Sequence, residues 1–342
     1  HKWLEATPEG FTNNKNKQIN VDLFIIDEMS MVDILMIKSV LLSLPKETQL
    51  VLVGDPNQLA PIGSGSLWNE LHKAHILKKF KEAFFPLNHV YRNRGEIAHM
   101  SKILCEYGMG NFWKDIYQLP KSSNIKVHQS NYNSLPELLL ERINTHKKFL
   151  TAEAKKYSIL HENSILSHSD LEAKKLLSYL DTLLVLCPQK KTNWGVNQIH
   201  RFFLGNNYHM GPIYWEIGTP VLCTENQTDV GLSNGDLGII ILEEGNKKIL
   251  FNAFSGKRNN STKIFNPIRI KGIEPAFGIT IHKSQGSEAS EVAVLWPHDP
   301  IINFSPQKVD LNRNEDYEQR LLYTAITRAK NKVDIFVKHV FK

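Results

Sequence analysis

The sequence lacks any long hydrophobic run, any cysteine cluster and any strong excess of one charge. No apolar stretch reaches the ~18 residues of a membrane-spanning helix, and no secretory signal pattern is visible, so we expect neither a membrane protein nor a secreted one. The three cysteines, Cys105, Cys187 and Cys223, lie far apart and form no CxxC pair. This excludes a disulfide scaffold and a cysteine-rich zinc site, and it predicts a protein of the reducing cytoplasm.

The remaining composition is that of a globular protein. Of 342 residues, 42% are hydrophobic and 22% are charged, which argues against wholesale disorder. The length allows two or three domains of ~100–200 residues each. Lys and Arg total 41 against 35 Asp and Glu, a net charge of +6, and this mild excess permits a polyanionic partner without requiring one.

The hydrophobic pattern predicts an α/β protein. Residues 21–26 and 50–53 are short apolar runs typical of buried parallel strands. Residues 32–44 between them have apolar positions at helical spacing. Strand, helix and strand in this order predict a βαβ unit.

Further along the chain, the hydrophobic pattern changes twice. Residues 135–150 and 171–180 have helical spacing, and residues 183–187 form another apolar run. Short apolar segments separated by Gly and Asn then predict a small β module with strands at residues 239–242, 248–251 and 268–270. The α/β pattern returns with a strand at 292–295, a helix at 315–328 and a strand at 333–337.

An acidic pair, Asp27-Glu28, directly follows the first predicted strand. Ligands of α/β proteins bind at the carboxyl ends of parallel strands. If a nucleotide binds there, Asp27 would hold Mg²⁺ and Glu28 would orient and deprotonate the attacking water. The alternatives are a solvated strand end or a helix N-cap.

A polar loop, GDPNQLAP at residues 54–61, follows the second predicted strand. Its Gly and Pro residues favour a tight turn. Gln58 can both donate and accept hydrogen bonds, so it could sense a γ-phosphate or the water that attacks it. An ordinary polar turn is the alternative, but the position one βαβ unit after Asp27-Glu28 strengthens the functional interpretation of both.

Two arginines and one basic segment complete the candidates. Arg92 and Arg328 could each offer a bidentate fork to a γ-phosphate, and surface salt bridges are the alternative. Residues 280–288 (TIHKSQGSE) carry hydroxyls, an imidazole and a lysine, which suit contacts to a phosphodiester backbone without sequence readout. A helix-capping turn would explain the same residues, and His282 has no spaced partner that would make it a metal ligand.

Taken in order, these motifs resemble those of superfamily 1 helicases, and most of all the RecD type, the exonuclease V alpha subunits. The series spans nearly the whole chain. Each motif alone is weak evidence for the family, whereas the ordered series is strong evidence. Its members are IDEMSM at 26–31, GDPNQL at 54–59, YR at 91–92, NGDLG at 234–238, HKSQGSE at 282–288 and YTAITRA at 323–329. The stretch 188–197, which contains WGVN at 194–197, also resembles that family.

The resemblance implies roles for the candidate residues, with ATP and Mg²⁺ as cofactors. Asp27 would hold the metal, Glu28 would activate water and Gln58 would sense the γ-phosphate. Arg92 and Arg328 would be arginine fingers from a second motor domain, and Glu288 would touch the nucleotide ribose. The residues near single-stranded DNA would be Thr280, His282, Lys283 and Ser284.

The same resemblance implies an architecture of RecA-like motor domains with parallel sheets. Residues 1–88 would be the C-terminal part of the first motor domain, which would be incomplete. Residues 89–235 and 276–342 would form the second motor domain. Residues 236–275 would be a small SH3-like β insertion.

One motif of the family is absent from the sequence, the Walker A loop GxxxxGK[ST]. The only Gly-Lys pair, Gly256-Lys257, lacks the required Gly five residues earlier. The sequence begins at His1, so we expect it to correspond to the part of such a helicase that lies beyond Walker A. This chain alone is then expected to be inactive as an ATPase, because the backbone cradle for the phosphates is missing.

The sequence therefore predicts the C-terminal part of an ATP-dependent, RecD-like DNA helicase, with 5′→3′ polarity implied by the resemblance alone. It would couple ATP hydrolysis to translocation on single-stranded DNA during double-strand break repair. RecB- and RecC-like subunits are the expected partners, and no membrane is involved. The alternative is a catalytically dead DNA-binding or assembly subunit with a helicase fold.

Overall fold

The structure is a computed structural model that describes residues 6–7, 10–11, 17–61, 65–87, 95–163, 169–227, 229–255, 259–298 and 315–338. The chain divides into two compact units, the first comprising His1–His89 with Asp316–Thr324 and the second comprising Val90–Glu315 with Ala325–Lys342. Within the described residues the α-helices are α1 Ile34–Ser43, α2 Leu67–Leu71, α3 Ala74–Phe80, α4 Glu96–Ile116, α5 Glu137–Asn163, α6 Ser169–Ser178, α7 Val196–Leu204 and α8 Glu315–Ile326.

The strands form four sheets. They are β1 Ala6–Thr7, β2 Gly10–Phe11, β3 Leu23–Ile26, β4 Gln49–Leu52, β5 Ile125–Ser130, β6 Leu183–Cys187, β7 Pro220–Cys223, β8 Leu237–Glu243, β9 Asn246–Ser255, β10 Asn259–Phe265, β11 Ile273–Pro275, β12 Ile279–Thr280, β13 Ala289–Trp296 and β14 Ala329–Lys338. The sheet orders are β1-β2, β3-β4, β12-β6-β13-β14-β5 and β10-β9-β8-β7-β11.

The first unit is built on the parallel pair β3 and β4, with α1 between them in the chain. The pairing runs from Leu23 opposite Gln49 to Ile26 opposite Leu52. The Asp33 side chain caps α1 by accepting the Met36 N–H at 2.7 Å, which satisfies one of the unpaired amides at the helix start. The β3–α1–β4 arrangement confirms the predicted βαβ unit.

One side of the β3–β4 pair packs into small apolar clusters, while the other is open. Met29, Ile37 and Trp68 form one of these clusters, to which Ile26 and Leu52 contribute. On the other side Leu23 and Ile25 are about half exposed. Parallel sheets are usually covered on both faces. In the described part of this unit, by contrast, one apolar face of the sheet is exposed.

The second unit contains a five-stranded sheet in which every pairing is parallel. Its central strand, β13, carries the buried run Val292–Trp296 with at most 1% of any side chain exposed. Continuous apolar strands of this kind are typical of sheets buried on both faces. Parallel sheets in both units agree with the α/β class predicted from the sequence.

A five-stranded antiparallel sheet packs against the parallel sheet inside the second unit. Strands β8 and β9 form a hairpin closed by Glu244 and Gly245, whose φ angles are 50° and 71°. Two central residues with positive φ match the right-handed twist of the flanking strands. A shared core, which includes Val221 and Phe251 of this sheet and Leu295 of the parallel sheet, joins the two layers.

One strand prediction in this module is wrong. Residues 268–270 were expected to form a strand, but Pro267–Arg269 is a 3₁₀ turn. Pro267 has no N–H to give to a sheet ladder, and the Asn266 side chain accepts the Ile268 N–H at 3.1 Å. The sheet is completed instead by β7, β10 and β11, which the sequence pattern did not indicate.

Within the described residues, no helix combines the length and the apolar character needed to cross a membrane.

Candidate functional site

The acidic pair lies at the carboxyl end of the β3–β4 sheet. β3 ends at Ile26, and Asp27 and Glu28 follow it directly. The Glu28 N–H donates to Asp27 Oδ1 at 2.8 Å, and the Asp27 side chain is exposed. The Asp27 carboxylate is thus fixed at its base by its neighbour's backbone while facing solvent.

Glu28 has an unusual backbone conformation, with φ 53° and ψ 45°. Left-handed φ values are uncommon for residues other than glycine and cost about 1–2 kcal/mol. Such strain is found most often at functional sites. The conformation directs the chain from the strand into the turn Met29–Met31, whose first amide donates to Val53 O at 3.0 Å.

Gly54 allows the two loops after β3 and β4 to approach closely. A Cβ atom at this position would lie 3.0 Å from Met29 N and 3.1 Å from both Met29 Cβ and Trp68 Cε2. Any side chain at residue 54 would therefore push the loop that carries Asp27 and Glu28 away from the loop that carries Gln58. Loops from adjacent strands are held together at this edge of the sheet.

Gln58 is buried, with 8% of its surface exposed. Among the described residues, its side-chain Oε1 has no hydrogen-bond partner. Buried polar atoms are almost always paired, so an orphaned oxygen points to a missing ligand or water. The Gln58 N–H donates to Asp55 O at 3.3 Å, which closes the turn that presents the side chain.

Helix α8 holds the Gln58 loop through three side chains to which the sequence analysis assigned no role, although Tyr323 and Thr324 open the motif at 323–329. Arg320 donates from Nη1 to the carbonyls of Pro56 and Gln58 and to Asn69 Oδ1. Tyr323 donates its hydroxyl hydrogen bond to Asp55 Oδ2 at 2.8 Å. The Thr324 hydroxyl accepts the Leu59 N–H at 3.1 Å. Residues 316–324 of the helix belong to the same unit as the loop, so these bonds are internal to that unit.

The residues of this edge fit a magnesium nucleotide. Mg²⁺ in nucleotide sites usually takes one or two carboxylates, with substrate phosphates and waters completing its shell. Asp27 could supply such a carboxylate, and the orphaned Gln58 Oε1 could accept a hydrogen bond from a water. Within the described residues, no cluster of three or more His, Cys, Asp or Glu side chains forms a metal site made of protein ligands alone.

In the second unit, Thr280 ends β12 at the carboxyl edge of the parallel sheet, opposite Cys187 of β6. Its hydroxyl accepts the Lys283 N–H at 3.4 Å, capping the turn Ile281–Ser284. His282 and Lys283 are partly exposed, and burial lowers the pKa of His282. Ser284 is fully buried and donates its hydroxyl to Ile281 O at 2.7 Å.

Lys283 belongs to a three-residue ion-pair cluster. Its Nζ lies 3.4 Å from Glu274 Oε2, and Lys190 Nζ lies 2.7 Å from Glu274 Oε1. Burial lowers the pKa of Lys283, against the opposing effect of Glu274. Burial alone would raise the pKa of Glu274, but the two lysines hold it below its ordinary value. Neither Lys190 nor Glu274 was identified from the sequence.

Glu288 and Arg328 lie together at the opposite, amino edge of the same sheet. β13 begins at Ala289 and β14 at Ala329, and these two residues pair with each other. Arg328 is buried and its Nη1 donates to Ser287 O at 3.2 Å. Glu288 forms an ion pair with Lys330.

The candidate residues therefore fall into three groups. Asp27, Glu28 and Gln58 share one edge of the first unit. Residues 280–284 lie at the carboxyl edge of the second unit's parallel sheet, and Glu288 with Arg328 lies at its amino edge. Arg92 is outside the residues that the structure describes.

Comparisons with known proteins match both ends of this chain. A family model described as an AAA domain matches residues 1–64. A second, described as the UvrD-like helicase C-terminal domain, matches residues 275–335. The class to which the chain is similar is therefore the superfamily 1 helicases.

The particular resemblance is to RecD. The chain is 28% identical to the RecBCD enzyme subunit RecD of Buchnera aphidicola, over 96% of this chain and 56% of the relative. It is 26% identical to the RecD subunit of Mycolicibacterium smegmatis, over 98% and 54%. The chain thus spans about half the length of these relatives. The resemblance to RecD-type proteins inferred from the motif order is confirmed.

Two further similarities are more distant. The ATP-dependent RecD2 DNA helicase of Deinococcus radiodurans is 24% identical over 97% of this chain and 38% of its own length. Among solved structures, a Bacteroides Pif1 helicase in complex with ADP-AlF3 and single-stranded DNA covers 94% of this chain and 71% of its own, at 18% identity and a TM-score of 0.45.

Proposed function

We propose that this chain is part of an ATP-dependent DNA helicase of the RecD type, and that Asp27, Glu28 and Gln58 form part of its ATP hydrolysis site. One observation carries the proposal. The acidic pair and the buried, unpartnered Gln58 side chain lie on loops that leave adjacent parallel strands at the same edge. The matches to an AAA domain and to a UvrD-like helicase domain support the same conclusion.

Glu28 is the proposed general base. Its backbone is left-handed, and its N–H donates to Asp27 Oδ1, so the carboxylate next to it is held by a hydrogen bond. One of the two carboxylates can take a proton from water while the other holds a cation. A positioned base contributes about 10²–10⁴-fold to a reaction rate.

Asp27 would hold Mg²⁺, which neutralises charge that develops on the phosphates during phosphoryl transfer. Gln58 Oε1 would accept a hydrogen bond from the attacking water, since the side chain has an unused acceptor and is buried. The bonds from Arg320, Tyr323 and Thr324 would keep the Gln58 loop in place during the reaction.

Two arginines and a glutamate are proposed as the remaining groups. Arg92 and Arg328 are proposed to stabilise charge on the γ-phosphate, a role in which an arginine is worth about 10³–10⁵ in rate. Glu288 is proposed to contact the ribose. It lies near Arg328 because the residues that follow each of them, Ala289 and Ala329, pair at the start of β13 and β14.

Single-stranded DNA is proposed to contact Thr280, His282, Lys283 and Ser284 at the other edge of that sheet. Of these, the partly exposed Lys283 and His282 would contact the phosphate backbone directly, whereas buried Ser284 would shape the turn through its bond to Ile281. The relatives named RecBCD enzyme subunit RecD support RecB- and RecC-like partners. A role in double-strand break repair is part of the proposal.

The test is a strand-displacement assay with the natural full-length protein on duplexes that carry a single-stranded tail at either the 5′ or the 3′ end. The proposal expects ATP-dependent unwinding of the 5′-tailed duplex, with little on the 3′-tailed one. Unwinding of only the 3′-tailed duplex would contradict the expected 5′→3′ polarity but would still support helicase activity. Binding to the tails with no ATP turnover would favour the alternative, a DNA-binding or assembly subunit.

A further inference from the structure

We propose that Lys190 and Lys283 form a site for one backbone phosphate of single-stranded DNA, and that the Glu274 carboxylate occupies this site until the phosphate displaces it. This inference rests on the proposed DNA-binding function and extends it to two residues outside the resemblance-derived site. Its three side chains come from three separate elements of the second unit.

The topology places the two lysines at equivalent positions. Thr280 of β12 and Cys187 of β6 are partners in register at the carboxyl ends of neighbouring parallel strands. Lys283 follows Thr280 by three residues, and Lys190 follows Cys187 by three residues. The carboxyl edge of a parallel sheet is where α/β proteins bind their ligands. Both ammonium groups therefore reach the same ligand-binding edge.

The loop that carries Lys190 is held tightly. A Cβ atom on Gly195 would lie 2.6 Å from Lys190 O, so only glycine fits at that position without a shift of backbone. The Asn197 N–H also donates to Lys190 O, at 3.1 Å. Lys190 thus projects from a fixed backbone in the loop that precedes α7.

Glu274 bridges the two lysines in the manner of a small anion. Each carboxylate oxygen takes one ammonium group, Lys190 at 2.7 Å and Lys283 at 3.4 Å. A phosphodiester likewise presents two non-bridging oxygens that share one negative charge. Exchange of the carboxylate for a phosphate would preserve both ion pairs and the charge of the site.

The accessibility of the cluster allows such an exchange. The Lys190 and Glu274 side chains are more than a third exposed, at 39% and 35%. Glu274 lies on β11, a three-residue strand at the end of the antiparallel sheet, so its side chain can swing into solvent. Partial burial lowers the pKa of Lys283, and the neighbouring Glu274 carboxylate opposes this effect.

The experiment measures binding of the 342-residue chain to a fluorescein-labelled oligothymidylate of ~16 nucleotides by fluorescence anisotropy at several salt concentrations. Lys190→Ala should weaken binding and reduce the slope of log affinity against log salt by about 0.7, the loss of one phosphate contact to a single strand. Glu274→Gln, which keeps the shape but removes the competing charge, should bind about two- to fivefold more tightly.

Matched variants separate this site from general effects of charge and folding. Glu216→Gln removes a carboxylate that pairs with Lys147 at 2.9 Å elsewhere in the same unit, and it should bind the oligonucleotide as the wild type does. Lys190→Arg keeps the charge and should keep the salt slope. Urea unfolding of each variant checks that the fold is retained.

Two results would overturn the inference while leaving the proposed function in place. One is wild-type affinity and slope in Lys190→Ala. The other is weaker binding by Glu274→Gln, since the carboxylate would then be positioning the lysines instead of competing with DNA. Absence of any binding by the wild-type chain would reject this site together with the proposed DNA contacts.

Discussion

The Tyr323 hydroxyl donates a 2.8 Å hydrogen bond to Asp55 Oδ2. Asp55 Oδ1 accepts the Asn57 N–H at 2.9 Å, so both carboxylate oxygens are in use. Asp55 begins the loop that presents Gln58, and Tyr323 lies on α8, 268 residues away in sequence. The bond fixes the start of this loop to the helix that ends two residues before Arg328.

Replacing Tyr323 by Phe should destabilise the first unit by about 1–2 kcal/mol, because the substitution removes a hydrogen bond to a charged group that is partly buried. The measurement is urea unfolding of the chain. Tyr107→Phe, at an exposed position, is the control and should leave the midpoint unchanged. Equal midpoints for Tyr323→Phe and the wild type would show that the bond contributes no stability.

The backbone of Glu28 gives a prediction that separates stability from activity. Glycine adopts φ 53° without strain, whereas alanine does not. Glu28→Gly should therefore be about 1 kcal/mol more stable than Glu28→Ala, although both variants lack the carboxylate. Urea unfolding compares the two, and a more stable alanine variant would contradict the left-handed conformation at this residue.

Arg328 can be tested with a substitution that keeps its charge. The side chain is buried and donates to Ser287 O, so Arg328→Ala would also leave a cavity. Arg328→Lys in the natural full-length protein should lower unwinding by about 10³-fold, because lysine lacks the bidentate fork. DNA binding without nucleotide should stay within a few-fold. Unwinding at the wild-type rate would assign Arg328 a structural role only.

Asp334 makes the stability of the second unit depend on pH. Its carboxylate pairs with His128, Arg142 and Lys332. Burial would raise its pKa, but these partners lower it from 3.8 to about 2. Since the folded-state pKa is depressed, the stabilisation is complete above the unfolded pKa and is lost as pH falls through about 2. In urea unfolding from about pH 5 to 2, Asp334→Asn should show a flatter loss of stability than the wild type; equal slopes would contradict this account.

The elements around the acidic pair could be predicted because their signals are local. The apolar runs at residues 21–26 and 50–53 correspond to Leu23–Ile26 and Gln49–Leu52, and the helical spacing at 32–44 corresponds to Ile34–Ser43. A short apolar strand can be recognised from a few consecutive residues, and so can the polar pair that follows it. The positions of Asp27 and Glu28 at the strand end followed from this pattern. The burial expected for these strands is not found, since Leu23 and Ile25 are about half exposed.

The side chains that support the site could not be predicted from the sequence. Arg320 reaches carbonyls 264 and 262 residues earlier in the chain, and Lys190 meets Glu274 across 84 residues. The periodicity of the sequence does not predict such contacts, because they depend on how separate elements pack. The strand predicted at 268–270 failed for a local reason. Pro267 and the Asn266 cap favour a 3₁₀ turn there in spite of the apolar pattern.

The most direct test of the proposed hydrolysis site is the rate of ATP turnover by the natural full-length protein, with and without single-stranded DNA, for the wild type and for Glu28→Gln. The amide keeps the size and hydrogen bonding of the side chain but cannot accept the proton from water. We predict DNA-stimulated turnover in the wild type and a drop of about 10²–10⁴-fold in the variant, with ATP binding retained. Turnover in Glu28→Gln close to that of the wild type would contradict the assignment of Glu28 as the base.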